Sequence, residues 1–392
     1  MMRYASWINE SKESFLGEIL KTANYEDVIS FAGGLPAQEL FPKDELKDCF
    51  NQVFDEDGPI ALQYAEALGY DPLRAWILEQ INVGSKTITM EDLIVTTGSQ
   101  QGLSLVAQTF IDPGDMLLVE SPTYLGALQA FQSLKPKVLM VPSDQDGIIP
   151  EDLEEILKRH KPKFLYVIPN YQNPTGRIMS LQRRKDLVRV ADKYNLLILE
   201  DNPYGQLRYE DEKYPNLMDM YDNVIYLGSF SKILSPGLRV GYVVAKKEII
   251  SHMAMVKEGM DLFSNSLAQR AVYKYVTGKP LLEHIVKLRK VYKARRDVMI
   301  DAFNKYTGDW VEINRPKGGL FVWAKINEIQ DSAVFLAQWA QKEKVIFVPG
   351  TFFYPDGRIS NEMRINFSCS SPEDIEEGVK RIARALSKVK SN

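Results

Sequence analysis

The sequence predicts an α/β fold: a large, mostly parallel sheet of seven strands, followed by a smaller C-terminal α+β unit. Two observations carry this. Between about residue 91 and residue 245, short apolar runs alternate with amphipathic segments at the spacing of strand and helix units. After about Val291 the pattern changes to a long charged helix and a few short apolar runs. A chain of 392 residues, 45% of them hydrophobic, can bury a core large enough for one big domain and a smaller one. The expected division is a segment 1–45 lying over the small domain, a large domain 46–290 and a small domain 291–392. No stretch rich in Gly, Ser or Pro separates these parts, so they are expected to pack closely across a long helix.

In chain order, the strands expected in the large sheet are 93–96, 116–119, 138–141, 164–168, 196–199, 224–227 and 240–244. Uninterrupted apolar runs of this length belong in a sheet covered on both faces. Helical spacing occupies 151–160 and 181–194 between them. In the C-terminal part, strands are expected at 318–323, 345–348 and 363–367, with helices at about 331–342 and 372–388.

Composition narrows the function. The formal net charge is −4 and the basic residues are scattered, which argues against nucleic acid as a partner. The N-terminal Met1 to Trp7 leads into polar sequence without the apolar centre of a signal peptide, and no run reaches the length of a membrane span. Cys49 and Cys369 are far apart, and His160, His252 and His284 stand alone. The expectation is a cytoplasmic protein acting on small molecules, with no disulfide framework and no metal site.

The most specific stretch is Gly228-Ser229-Phe230-Ser231-Lys232, followed by Arg239 in Leu238-Arg239-Val240-Gly241. Lys232 follows an expected buried strand and so emerges at its carboxyl end, where open α/β sheets hold ligands. A primary amine there can form a Schiff base with an aldehyde when its surroundings leave it unprotonated. Small hydroxyl residues beside it and an arginine nearby can hold a phosphate. Amine, phosphate site and aldehyde together describe pyridoxal 5'-phosphate. Read alone, Lys232 is one more surface lysine in a lysine-rich chain.

Three further strand ends change that reading. Gly98-Ser99-Gln100-Gln101 opens a helical pattern whose free N–H groups and dipole would face an anion, although such a turn also serves as an ordinary cap. The turn from Asn170 to Gly176 can present Asn173 to a ring hydroxyl, or be a plain Asn-Pro loop. Asp201, in Glu200-Asp201-Asn202-Pro203-Tyr204-Gly205, is either a turn former or a carboxylate aimed at a ligand. Beside a pyridine nitrogen it would keep that nitrogen protonated and the ring a better electron sink. Each piece is ambiguous alone; their order on successive strand ends is not.

With these motifs the chain resembles the fold-type I pyridoxal-phosphate enzymes of the class I/II aminotransferase family, and within it the kynurenine/2-aminoadipate aminotransferase branch. The resemblance runs from Phe31-Ala32-Gly33-Gly34-Leu35-Pro36 to near the C-terminus. It passes through Gln63-Tyr64, Gly69-Tyr70, Thr97 to Gln101, Ser121-Pro122-Thr123-Tyr124, Asn173-Pro174-Thr175-Gly176, Glu200 to Tyr204, the lysine segment, Pro316-Lys317-Gly318-Gly319 and Met363-Arg364. It implies an aspartate aminotransferase-like fold. The implied reaction is ping-pong transfer of an amino group from an aromatic, aliphatic or 2-aminoadipate-like L-amino acid to a 2-oxo acid such as 2-oxoglutarate.

The resemblance also implies roles. Lys232 would hold the cofactor and later shuttle the proton, with Asp201 pairing with the pyridine nitrogen. Asn173 and Tyr204 would hydrogen-bond the ring's phenolic oxygen, and Tyr124 would stack on the ring. Ser99, Gln100, Ser229, Ser231 and Arg239 would bind phosphate. Tyr64 would reach the phosphate of the other subunit of a homodimer. Arg364 would take the substrate α-carboxylate, with Asn173 and Gly34 beside it, and Gly33 and Gly34 would allow the N-terminal segment to come close.

One departure bears on substrate. The branch carries an arginine on its N-terminal helix for a second carboxylate, and that place falls at or near Gly17 here, with no arginine between Arg3 and Arg74. Acidic donors should therefore bind weakly by that route, while Phe15 and Leu16 fit either an apolar donor or the helix core. Two other readings stay open at this point. One is a carbon–sulfur β-lyase on the same scaffold. The other is the cofactor-binding effector domain of a transcription regulator, although only about thirty residues precede Gly33 here, short of a winged-helix domain.

Overall fold

The structure is a computed structural model and describes Ala5, Trp7, Ile8, residues 27–81 and residues 88–390. Gly17, Phe15 and Leu16 lie outside the described residues.

Seven strands form the large sheet: β1 (Leu93–Thr96), β2 (Met116–Glu120), β3 (Lys137–Val141), β4 (Leu165–Val167), β5 (Ile198–Asp201), β6 (Val224–Ser229) and β7 (Gly241–Val244). Their order is β1-β7-β6-β5-β4-β2-β3. All neighbours are parallel except β7, which runs against both β1 and β6. Alternate residues of the apolar runs face opposite ways, so both faces are buried. Val95, Leu118, Leu165 and Ile198 enter one core, while Ile94, Leu117, Tyr166 and Leu199 enter the other.

The strand expected at 196–199 lies two residues further on. Leu196 N–H donates to Ala191 O at 2.9 Å and closes the helix Leu181–Lys193, so pairing begins at Ile198. Asp201 consequently ends the strand instead of starting a turn, held in register opposite Leu227.

The smaller sheet comprises β8 (Val311–Ile313), β9 (Phe321–Ile326), β10 (Val348–Pro349) and β11 (Glu362–Asn366), antiparallel in the order β8-β9-β11-β10. The run expected as one strand at 345–348 divides at Phe347. Val345–Ile346 pairs in parallel with Ile29–Ser30, and only Val348–Pro349 joins the sheet. That pairing ties the N-terminal segment to the C-terminal part and sets the course of residues 31–35. The helix Leu281–Thr307 runs unbroken through the division expected at 290/291. The helix Pro372–Lys390 packs on it and buries Ile375, Val379, Ile382 and Leu386, the stripe of a 3.6-residue repeat. Among the described residues, no helix is long and apolar enough to cross a membrane.

Candidate active site

The carboxyl ends of β4, β5 and β6 and the turn after β1 converge on a cavity of about 300 Å³, closed on its far side by residues 32–35 and by Arg364 of β11. Lys232 follows β6 by three residues and donates from Nζ to the carbonyl of Gly34 at 2.8 Å. Burial, reinforced by the Arg364 and Arg239 guanidiniums, pushes its pKa down to about 8. An appreciable fraction of the amine is therefore unprotonated near neutral pH, as a nucleophilic lysine requires.

Asp201 ends β5 at 2% exposure. Its Oδ2 accepts from the Tyr166 hydroxyl at 2.9 Å, whereas its Oδ1 is buried without a partner. Burial raises its pKa to about 7, against the Tyr166 hydrogen bond that lowers it. A buried carboxylate oxygen left unpaired costs about 1–3 kcal/mol or more, so the arrangement fits a cationic or N–H partner supplied by a ligand.

At the end of the cavity beside β1, the helix Ser99–Phe110 begins at Gly98 with no side-chain cap, which leaves first-turn N–H donors and the positive dipole end available to an anion. The Gln100 side chain is engaged elsewhere, donating to Gly126 O at 2.7 Å, so its backbone N–H is the group offered here. Arg239 Nη2 donates to Thr97 O at 3.1 Å, and among the described residues its guanidinium has no carboxylate partner. Gly98 has φ +75°, and a methyl group there would lie 2.5 Å from Arg239 Nη2. Only glycine lets the arginine come this close. Ser229 Oγ accepts from Ser231 N–H at 3.1 Å, holding both hydroxyl residues against the same wall.

At the opposite end, Arg364 is 3% exposed. Its Nη1 donates to Asn173 Oδ1 at 3.0 Å and its Nη2 to Ala32 O at 2.5 Å, while Nε has no partner. The ring centroids of Phe321 and Phe353 lie 4.4 and 5.2 Å from the guanidinium carbon. Burial lowers its pKa to about 10, so it stays cationic at neutral pH. Between the two ends, Asn173 Nδ2 donates to the Tyr204 hydroxyl at 3.4 Å, and burial raises the Tyr204 pKa.

Lys232, Asp201, Tyr204, Ser99, Gln100, Tyr124, Asn173, Ser229, Ser231, Arg239, Gly34 and Arg364 thus all line one cavity. Tyr64 does not. It is 76% exposed, with its ring edge-on to Phe263 at 5.8 Å in a separate surface cleft. The sequence reading missed Tyr166, the partner of Asp201. A tyrosine inside an otherwise apolar buried strand must find a hydroxyl partner, which was the available signal. It also missed Leu125 and Gln129, which line the cavity but carry no motif.

The residues fit pyridoxal phosphate on three counts: the unpaired Asp201 Oδ1, the uncapped helix start beside an arginine without a carboxylate, and an amine with a lowered pKa. Comparison with known proteins agrees. The model of the family "Aminotransferase class I and II" matches residues 27–382. Aromatic-amino-acid aminotransferase 1 of Thermococcus litoralis is 41% identical over 96% of this chain and 92% of its own length. The 2-aminoadipate transaminase of Thermus thermophilus is 40% identical over 95% and 94%. Among solved structures, an alpha-aminoadipate aminotransferase of Thermus thermophilus complexed with N-(5'-phosphopyridoxyl)-L-leucine superposes with a TM-score of 0.92. It is 38% identical, with 99% of this chain and 98% of that one covered. The chain belongs to the class I and II aminotransferases, enzymes that use pyridoxal phosphate to move an amino group from an amino acid to a 2-oxo acid.

Proposed function

We propose that this aminotransferase takes aromatic, aliphatic or 2-aminoadipate-like L-amino acids as donors, with a 2-oxo acid such as 2-oxoglutarate as acceptor, and works as a cytoplasmic homodimer. The observation that carries the site assignment is Lys232, desolvated in the one cavity that also holds the unpaired Asp201 Oδ1 and Arg364. The bound cofactor supplies an aldehyde carbon to carry the amino group and a ring that accepts electrons. Lys232 would hold it through its amine, and the same amine would move a proton to and from the substrate α-carbon. Asp201 keeps the pyridine nitrogen protonated, with Tyr166 fixing the carboxylate's orientation. Tyr204 and Asn173 hold the ring's phenolic oxygen and Tyr124 covers its face. Ser99, Gln100, Ser229, Ser231 and Arg239 anchor the phosphate. Arg364 binds the α-carboxylate, with Asn173 and Gly34 closing that end.

The donor preference draws on the names of the similar enzymes and on the cavity wall. Among the described residues that line it, the only cations are Lys232, Arg239 and Arg364, which the roles above commit to the cofactor's aldehyde carbon, its phosphate and the α-carboxylate. Leu35 and Leu125 offer apolar contact to a side chain. The dimer reading is supported by Leu62, Tyr64 and Leu262, which are 68%, 76% and 52% exposed. Apolar surface of this kind fits a second copy, with Tyr64 reaching the partner's phosphate. We also assign 46–290 to cofactor binding, 291–392 to a small domain and 1–45 to a segment covering the site.

Single-turnover mixing with phenylalanine, leucine, glutamate, 2-aminoadipate and cystathionine, with the oxo acids identified, tests the donor assignment. The expected result is conversion of the lysine-bound cofactor to its aminated form, fastest with phenylalanine or leucine. Conversion by glutamate alone, with none by phenylalanine, leucine or 2-aminoadipate, or ammonia release from cystathionine without conversion, would overturn it. Sedimentation tests the dimer.

A further inference from the structure

We propose that Gln172 is a positioning residue that joins the loop carrying Tyr124 to the loop carrying Asn173, so that the two ring-binding walls act as one unit. The inference rests on the roles proposed above for Tyr124 and Asn173. Gln172 is 2% exposed and is not among the residues that line the cavity. Its Nε2 donates to Pro122 O at 2.8 Å, two residues before Tyr124. Its Oε1 accepts from Thr175 N–H at 2.9 Å and from Thr175 Oγ1 at 2.6 Å, two residues after Asn173. The same amide faces the buried carboxyl of Glu120, which in turn accepts from Ile168 N–H at 2.8 Å, at the end of β4. Both ends of the Gln172 side chain are thus committed, and a buried amide used in this way has one orientation.

The loop that Gln172 anchors has little other freedom. Gln172 N–H donates to Arg177 O at 2.8 Å, and Gly176 N–H donates to Gln172 O at 2.6 Å. Asn173 sits at its apex, accepting from Arg364 Nη1 and donating to the Tyr204 hydroxyl. Any shift of the loop therefore moves both the ring's hydroxyl edge and the guanidinium that takes the α-carboxylate. Misplacement by about 1 Å at a reacting centre costs on the order of 100-fold in rate.

The test compares holoenzymes carrying Gln172→Ala, Thr175→Val and Asn173→Ala. Three readouts are taken: cofactor affinity, the pH midpoint of the lysine-bound cofactor's absorbance, and KM against kcat for both substrates. Gln172→Ala is expected to weaken cofactor binding about tenfold, the scale of one buried hydrogen bond. It should also displace the absorbance midpoint in the same direction as Asn173→Ala, with Thr175→Val giving a smaller displacement. A wild-type midpoint and affinity in Gln172→Ala, whatever its melting temperature, would overturn the inference. Should Gln172→Ala fail to fold, an unmoved midpoint in Thr175→Val overturns it. If Asn173→Ala itself leaves the midpoint unmoved, the assignment of Asn173 fails, and this inference with it.

Discussion

The two ends of the cavity are built differently. The cofactor end is assembled from successive edges of one sheet: the turn after β1, the end of β5 and the segment after β6, with Arg239 just before β7. The carboxylate end is assembled from three stretches far apart in the chain, residues 32–34, Asn173 and Arg364, with the Arg364 guanidinium donating to both Asn173 and Ala32 and Lys232 donating to Gly34. One end is fixed by strand register; the other depends on how two sheets and an N-terminal segment pack. Damage at the first should strike the chemistry, and damage at the second should strike substrate binding.

The largest effect is expected from Lys232→Ala, which would remove both the proposed covalent anchor of the cofactor and the proposed proton carrier. Half-reaction rates followed by absorbance should fall by at least about 10⁴-fold, the upper range of general acid–base catalysis. Asp201→Asn keeps the shape but loses the charge proposed to lie beside the ring nitrogen, so kcat should drop by about 10²- to 10³-fold with little change in KM. Tyr166→Phe should give a weaker version of the same phenotype. At the other end, Arg364→Lys should raise KM for both amino acid and oxo acid by about 100-fold, since an ammonium cannot bind a carboxylate in two-point fashion. A similar fall in kcat for both Asp201→Asn and Arg364→Lys, with unchanged KM, would erase the distinction between the ends.

The smallest effect is on stability. Burial raises the pKa values of Asp201, Glu120 and Glu200 to about 7 in the folded protein. A carboxyl whose folded pKa lies above its unfolded value stabilises the fold fully at low pH and loses that contribution as pH rises through the folded value. The cofactor-free protein should therefore be less stable at pH 8 than at pH 6, by about 1 kcal/mol per group over that interval, read as a lower melting temperature. Lys232, with its pKa lowered to about 8, adds little in that window, since its relief comes at higher pH. The cofactor's pyridinium should reverse the contribution of Asp201. Equal pH dependence with and without cofactor would contradict the pairing of Asp201 with the ring.

The cofactor end was largely legible from residue order because each group lies next to an apolar run. Once Val224–Ser229 is a buried strand, Lys232 must lie near its carboxyl end, and the same holds for Asp201. Even the misplaced edge at 196–199 kept Asp201 in the site, since a two-residue shift moves it only from the first turn to the last strand position. Tyr166 and Gln172 were not legible as partners. Their importance depends on hydrogen bonds across 35 and 50 residues, which no local pattern encodes. The split of 345–348 was hidden for the same reason: the partner of Val345–Ile346 is Ile29–Ser30, at the other end of the chain.

By itself, the sequence determined the α/β architecture and the set of chemical groups on the strand ends, because apolar periodicity and strand termination are local properties. Only the tertiary structure decided how those groups are tuned. It buries Lys232 and Asp201 far enough to move their pKa values, leaves Asp201 Oδ1 and Arg364 Nε without partners, and brings Arg364 to Asn173 and Ala32. It also turns Tyr64 outward, away from its own chain's cavity. Desolvation and long-range hydrogen bonding depend on what surrounds a residue in space, and the chain specifies those surroundings only once it has folded.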